Sequence, residues 1–352
     1  MAGILGSNAN AIYKIASTWG TAVSGGAGNK IKGEFTPAPN VSMLKLRQMG
    51  SGVPMTQTLT RGSFKPAGKL VMDAGYRNCM DNIIAQFMGT AGAPVEQTGA
   101  QGDYKHTITL NASPNAKYGT FAYEDSSATV VEFPTTATQG ISLSLDEAPG
   151  ILQFSADLLA NNILYSTTNA TTNTNGSLAS ATATDVEPIA YADVDTFRIN
   201  LASGGALSGS DQLNICGFKL DLSRPQMLKG EIRGAAGLSA PIITDVFQGT
   251  MSVTLIQNVD HTYNTYWFNE TALKCALNIQ GTQIGSGVNK AISCYIPRMI
   301  LSEPPVYNPV SPGINQVVLN FGIFGATANP TGMTSFYPYF EIINQLSTSL
   351  LA

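Results

Sequence analysis

Charge is scarce in this sequence. Of its 352 residues, 12 % are Asp, Glu, Lys or Arg, about half the usual share of roughly 25 %. Lys and Arg number 19 against 23 Asp and Glu, a net charge of −4. A protein that grips nucleic-acid phosphates needs a basic surplus, so that class is disfavoured. Hydrophobic residues still make up 43 %, whereas disordered chains pair low hydrophobicity with high charge. Gly, Ser, Thr and Asn stand where charge is missing. Such a weakly charged, polar surface suits a protein that packs against copies of itself.

Cysteine and histidine are scarce too. Cys79, Cys216, Cys275 and Cys294 form no C-x-x-C pair, and only His106 and His261 are available beside them. That spacing holds no zinc site. Without a secretion-signal pattern after Met1, the thiols read as buried free cysteines of a reducing compartment, although an even count leaves disulfides open. No apolar run approaches the roughly 18–20 residues that span a bilayer, so no membrane partner is expected. Neither GxxxxGK[ST] nor a strand-to-helix GxGxxG is present.

Catalytic constellations are equally thin. His106 shares a strand face with Tyr104, Ile108 and Leu110, the setting of a packed histidine rather than of a base beside a nucleophile. His261 reads as a helix-start or loop residue. Asp146-Glu147 and Glu303 sit in proline-flanked turns, as solvated corners do. No catalytic residue, metal site or cofactor is therefore assigned. An enzyme with a hidden site is the rival that activity assays on a His106 variant would expose.

What is present is period-2 alternation, the mark of half-buried antiparallel strands. Leu152, Phe154, Ala156 and Leu158 alternate with Gln153, Ser155 and Asp157. The same pattern runs through Phe218, Leu220 and Leu222, through Met251, Val253 and Leu255, and through Val317, Leu319, Phe321 and Ile323. Two segments predict helices. Residues 76–88 carry the stripe Cys79, Ile83, Ile84, Phe87 and stop at Gly89; residues 262–273 are a weaker match. Residues 166–184, rich in Ser, Thr and Asn, read as a linker or exposed loop that cannot build a core.

This stretch divides the chain into residues 1–165, a connection at 166–190, and residues 191–352. The halves look related. Pro149-Gly150-Ile151-Leu152-Gln153 and Pro312-Gly313-Ile314-Asn315-Gln316 each run into an amphipathic strand. Gly68 and Gly249 each open or precede another strand that leads into a helical segment. One large β protein with recurring turns is the alternative.

Residues Ile15-Ala16-Ser17-Thr18-Trp19-Gly20-Thr21 resemble the "E-x-T-W-G-T" opening of one group of tail tube (major tail) proteins of long-tailed bacteriophages, with Ala16 where an acidic residue often stands. The stretch 62–73, leading into Tyr76 and Ile83-Ile84, is similar to that group's strand-then-helix element. Phe87-Met88-Gly89-Thr90 is similar to its "L-x-G" helix stop. These motifs cover the first quarter of the chain; the remainder agrees by pattern.

The resemblance implies a mainly β protein: two related tail-tube-type antiparallel β-sandwich or barrel domains, each with one short helix, joining neighbours into a closed β-ring. It implies a structural virion protein, made and assembled in the bacterial host cytoplasm. Its rings stack head to tail into a hollow tube, meeting other tail proteins at the tube ends. Double-stranded DNA passes through without tight binding. Two tube domains per chain favour trimeric rings of pseudo-six-fold symmetry over hexameric ones. Lys32, Glu34, Asp157, Lys219 and Asp221 are the expected lumen-facing residues. Residues 41–60, with Met43, Leu44, Leu46, Met49 and Met55, are the expected ring-stacking loop, and Trp19 an interface anchor. Another self-assembling surface or receptor-binding β protein, such as a lattice, pilus-like or adhesin subunit, is the alternative.

Overall fold

The alternating segments become strands in the computed structural model of the chain. It describes residues 10–46, 58–97, 102–111, 117–126, 129–184, 187–229, 238–255, 261–285, 287–310 and 314–352. The protein is mainly β, with 52 % strand and, among the described residues, three short helices.

The first half opens with β1 (Ala11–Ala16), β2 (Lys30–Ile31) and β3 (Glu34–Ala38). A hairpin of β4 (Val41–Leu46) and β5 (Thr58–Phe64) leads to β6 (Ala67–Asp73) and α1 (Met80–Met88). The short strands β7 (Gly89–Ala91) and β8 (Val95–Glu96) precede β9 (Tyr104–Leu110). Then come β10 (Tyr118–Ser126), β11 (Thr129–Asp146), β12 (Gln153–Ala160), β13 (Leu164–Tyr165) and α2 (Asn175–Ser180).

The second half begins with β14 (Val194–Leu201) and β15 (Ile215–Ser223). A second hairpin, β16 (Gln226–Met227) with β17 (Ile242–Ile243), leads to β18 (Gln248–Leu255) and α3 (Thr262–Phe268). The chain ends through β19 (Leu273–Gly285), β20 (Val288–Leu301), β21 (Val306–Val310), β22 (Ile314–Phe324) and β23 (Tyr339–Asn344).

One order of antiparallel pairing occurs twice. In the first half it runs β3, β6, β12, β11, β10, β1. In the second it runs β15, β18, β22, β20, β19, β14. A hairpin follows the first strand of each series and a helix the second. The related-halves reading thus has a counterpart in strand pairing. The glycine motifs are less regular: Gly68 lies opposite Leu158, eight residues after Gly150, whereas Gly249 lies opposite Ile323, ten residues after Gly313. The two series join where β11 pairs with β15, Ile141 opposite Leu222 and Leu143 opposite Leu220. A second link pairs β9 with β23. Among the described residues no sheet closes into a barrel, so the barrel form of the expectation is not met within one chain.

Alternation places the core. Phe154, Ala156, Leu158, Phe218, Leu220, Leu222, Met251, Val253, Leu255, Val317, Leu319, Phe321 and Ile323 are all buried in one apolar cluster shared by both halves. Each such large side chain contributes about 1.5–3 kcal/mol of burial. Helix α1 starts later than expected, because Cys79 (φ 58°) adopts a left-handed backbone just before it. It stops at Gly89 (φ 90°), whose missing Cβ makes that conformation cheap. Its sides are buried nearly all round, beyond the expected stripe. Gln86 fastens it to the sheet, accepting from Tyr13 Oη (2.7 Å) and Thr138 Oγ1 (2.6 Å) and donating to the Thr136 carbonyl (2.8 Å). Helix α3 is shorter than residues 262–273, since Glu270 (φ 50°) turns the chain into β19.

The 166–190 segment is corrected. Leu178 and Ala181, on and after α2, form a small core with Ile12, Ala122 and Val130. The buried Glu132 carboxylate accepts from the backbone N–H of Thr172 and Asn173 and from Asn173 Nδ2. Thr174 and Ser177 cap α2 reciprocally. Further on, Pro188 bridges Gly75, Ala190 bridges Ile151, and Ile189 is fully buried. A few small apolar residues suffice once the neighbouring strands supply the opposite wall.

The C-terminal residues act as a strap across α1. Asn82 Nδ2 donates to the Leu350 carbonyl (2.7 Å), and His106 Nε2 lies 2.9 Å from the Leu346 carbonyl. Asn344 Nδ2 donates to Asp81 Oδ2 (3.2 Å), while its Oδ1 accepts from Leu346 N–H. His106 is accordingly a buried strand residue.

Candidate functional site

The residues that alternate with the core build a second, polar surface. Strand register aligns them in rows that cross the seam between the halves. One row is Thr36, Lys69, Asp157, Gly140, Ser223, Gln248. The next is Glu34, Val71, Ser155, Ser142, Asp221, Thr250. A third is Asp73, Gln153, Ser144, Lys219, Ser252, Asn320. The middle of this face is an open trough of about 670 Å³.

Four of the five expected lumen residues meet here: Glu34, Asp157, Lys219 and Asp221. Lys32 does not. It lies exposed before β3, its backbone N–H donating to Asn78 Oδ1 (3.3 Å) and its carbonyl accepting from Asn78 Nδ2 (3.4 Å). Sequence reasoning read Gln153 and Thr250 as outward-facing without counting them among the lumen residues, and it passed over Lys69, Asp73, Ser142 and Ser144, which the same period-2 signal marks.

The rows carry four carboxylates, Glu34, Asp73, Asp157 and Asp221, against two ammonium groups, Lys69 and Lys219. Lys219 Nζ lies 2.8 Å from Asp221 Oδ2, with side chains 58 % and 42 % exposed. Such a pair is screened by water and salt and contributes little stability. Gln153 Nε2 donates to Asp73 Oδ1. The named rows contain no histidine or cysteine. What the face offers is a dense, hydrated set of hydroxyl, amide and mixed-sign groups. Among the described residues no three His, Cys, Asp or Glu side chains converge on a point where a metal ion would sit.

Both ends of this sheet are open. Among the described residues β3 pairs with β6 alone and β21 with β22 alone. Each edge carries a proline, Pro37 and Pro309, which removes one donor from its ladder. β20 and β21 lie on the same side of β22, opposite Phe321 and Val318 respectively, with Pro304-Pro305 between them. The β21 edge therefore occupies, in the second series, the position from which β11 holds β15 in the first.

The expected stacking residues are only partly placed. Met43, Leu44 and Leu46 lie on β4 of the first hairpin; Met49 and Met55 lie outside the described residues. Trp19 is half-buried and used within the chain. Its ring packs edge-on against Tyr118 (4.9 Å), and its Nε1 donates to the Leu238 carbonyl (2.7 Å), between β16 and β17. The four thiols are free, three of them buried, and burial pushes Cys294 up to about 12. No helix among the described residues is long and apolar enough to cross a membrane. No protein-family model matches the chain, and no curated protein is found to be similar to it.

Proposed function

We propose that this protein is a structural ring subunit of a bacteriophage tail tube, self-assembling edge to edge and passing double-stranded DNA along its polar face. The carrying observation is the β11–β15 seam. Within one chain it joins two copies of one strand order side by side, and it leaves at the outer ends the same two kinds of edge. Adding β3 of a second copy to β21 repeats the seam, and such head-to-tail repetition gives a ring when the rotation per step divides a full turn. Closure also removes the exposed edges that otherwise promote aggregation.

The face supports the cargo. Phosphate grips scale with Lys and Arg, and the aligned rows hold two lysines among four carboxylates, so a polyanion slides over hydrated hydroxyls. With two strand series per chain, three chains supply six; six chains with one series each in the wall are the alternative. The hairpin β4–β5, bearing Met43, Leu44 and Leu46, is the proposed arm between stacked rings. The virion tail, after assembly in the host cytoplasm, is the proposed place of action.

Negative-stain microscopy with mass photometry on purified protein, dilute and concentrated, tests this reading. Hollow rings or stacked tubes are expected, with a smallest ring of three chains. Flat sheets would favour a surface lattice instead, and a protein monomeric at every concentration would overturn the ring.

A further inference from the structure

We infer that Phe268 and Trp267, at the end of α3, are the seat for the next copy of this chain, occupied by the base of that copy's β4–β5 hairpin. The inference rests on the ring reading above and adds its contact residues. The internal seam shows what such a seat looks like. After β15 the chain turns through Arg224, which is buried. Its Nη1 donates to the Phe87 carbonyl (3.3 Å) and its Nη2 to the Asn111 carbonyl (2.6 Å). The chain then traverses the β16–β17 hairpin and returns through Phe247, whose ring lies 5.8 Å from that of Phe87. The last turn of α1 is thus where the base of the second hairpin rests.

Helix α3 holds the corresponding place in the second series, between β18 and β19 as α1 lies between β6 and β10. Phe87 stands two residues before the left-handed Gly89 (φ 90°), and Phe268 two residues before the left-handed Glu270 (φ 50°). Their surroundings differ sharply: Phe87 is 1 % exposed, Phe268 80 % and Trp267 38 %. The cover missing from α3 is a strand at the β21 edge followed by a hairpin. This chain has that combination once more, in β3 with β4–β5, at its opposite end. Phe64, the last residue of β5, precedes β6 by three residues, much as Phe247 follows the second hairpin and immediately precedes β18. The stretch after β3, Pro39-Asn40-Val41, contains no arginine. The guanidinium of the internal seam therefore has no counterpart in that stretch.

The test uses the full chain with Phe268→Asp and, separately, with the photo-crosslinking residue benzoylphenylalanine at position 268. For Phe268→Asp, far-UV circular dichroism unchanged from wild type is expected, together with a concentration for ring formation raised about tenfold or more. Illumination of assembled rings is expected to join position 268 to residues 39–43 or 61–66 of another copy. Undiminished assembly by Phe268→Asp, or crosslinks confined to other segments, would overturn the seat while leaving rings intact. If Phe268→Asp misfolds, the aromatic crosslinker decides alone. Wild-type protein that never forms rings would overturn the ring reading, and this inference with it.

Discussion

Helices α1 and α3 occupy equivalent places in two repeats of one strand order, yet one is enclosed and the other bare. Over α1 lie β9, β23 and the C-terminal strap, and Arg224 and Phe247 close its last turn. Among the described residues nothing comparable is laid over α3, and of its seven residues only Tyr263 is buried. Local sequence at the helix ends does not account for this difference, since each helix carries a phenylalanine two residues before a left-handed turn. Position does: the first repeat has a neighbour within the chain, whereas in the proposed ring the second takes its neighbour from another copy.

Two alanine substitutions give the largest contrast. Phe87→Ala is expected to cost about 3–5 kcal/mol in urea unfolding, as loss of a large core ring does. Phe268→Ala on the dilute protein should stay within about 0.5 kcal/mol. Equal effects would mean that α3 is covered within the monomer and would erase the comparison.

The strap over α1 adds a pH signature that α3 lacks. Burial raises the Asp81 carboxyl to about 7, against the opposing pull of the Asn82 N–H, Arg77 and Asn344. Between the ordinary carboxylate range and about 7 the folded chain holds a proton that the unfolded chain has released. Stability from this group is therefore full at low pH and is lost as pH rises towards 7. From about pH 5 to about pH 8 it contributes a loss of roughly 2–3 kcal/mol. His106, lowered chiefly by burial, slopes the opposite way below its ordinary value. The difference between wild type and Asp81→Asn isolates the carboxyl. Matching pH profiles in chemical denaturation would show that Asp81 is not buried as a titrating group.

The smallest of the three effects concerns the seam. Arg224→Met removes the guanidinium and leaves the carbonyls of Phe87 and Asn111 without it, at a cost of about 1–3 kcal/mol. A thermal-unfolding change within error would show that strand pairing alone holds the repeats together, and that the arginine is dispensable at the internal seam as it is absent from β3.

Much of this architecture is legible in the chain. Phe154, Ala156 and Leu158 announce their strand because a pleated backbone sends alternate side chains to opposite faces. Gly89 announces a helix stop because a left-handed backbone is cheap without a Cβ. The same parity supplies the polar face, including Lys69 and Gln153, once a strand's buried set is known. Other features are not local. Leu178 looks isolated among Ser, Thr and Asn until Ile12, Ala122 and Val130 converge on it from distant segments. Lys32 has the parity of Glu34 but lies outside the ladder, where Asn78 holds its backbone. The reach of α3 is set by Glu270, a residue type that gives no strong signal for a left-handed turn.

By itself the sequence determined an antiparallel β protein, its inward and outward residues and the stop of its main helix. All of these follow from periods of two or four residues and from backbone sterics, which act over a few bonds. Tertiary structure alone decided that β11 takes β15 as its neighbour, that the last residues of the chain lie across α1, and that β3 and β21 are left as edges. Those outcomes depend on which surfaces meet after long loops close, and main-chain donors and acceptors, alike in every strand, carry no label in the sequence for their partners.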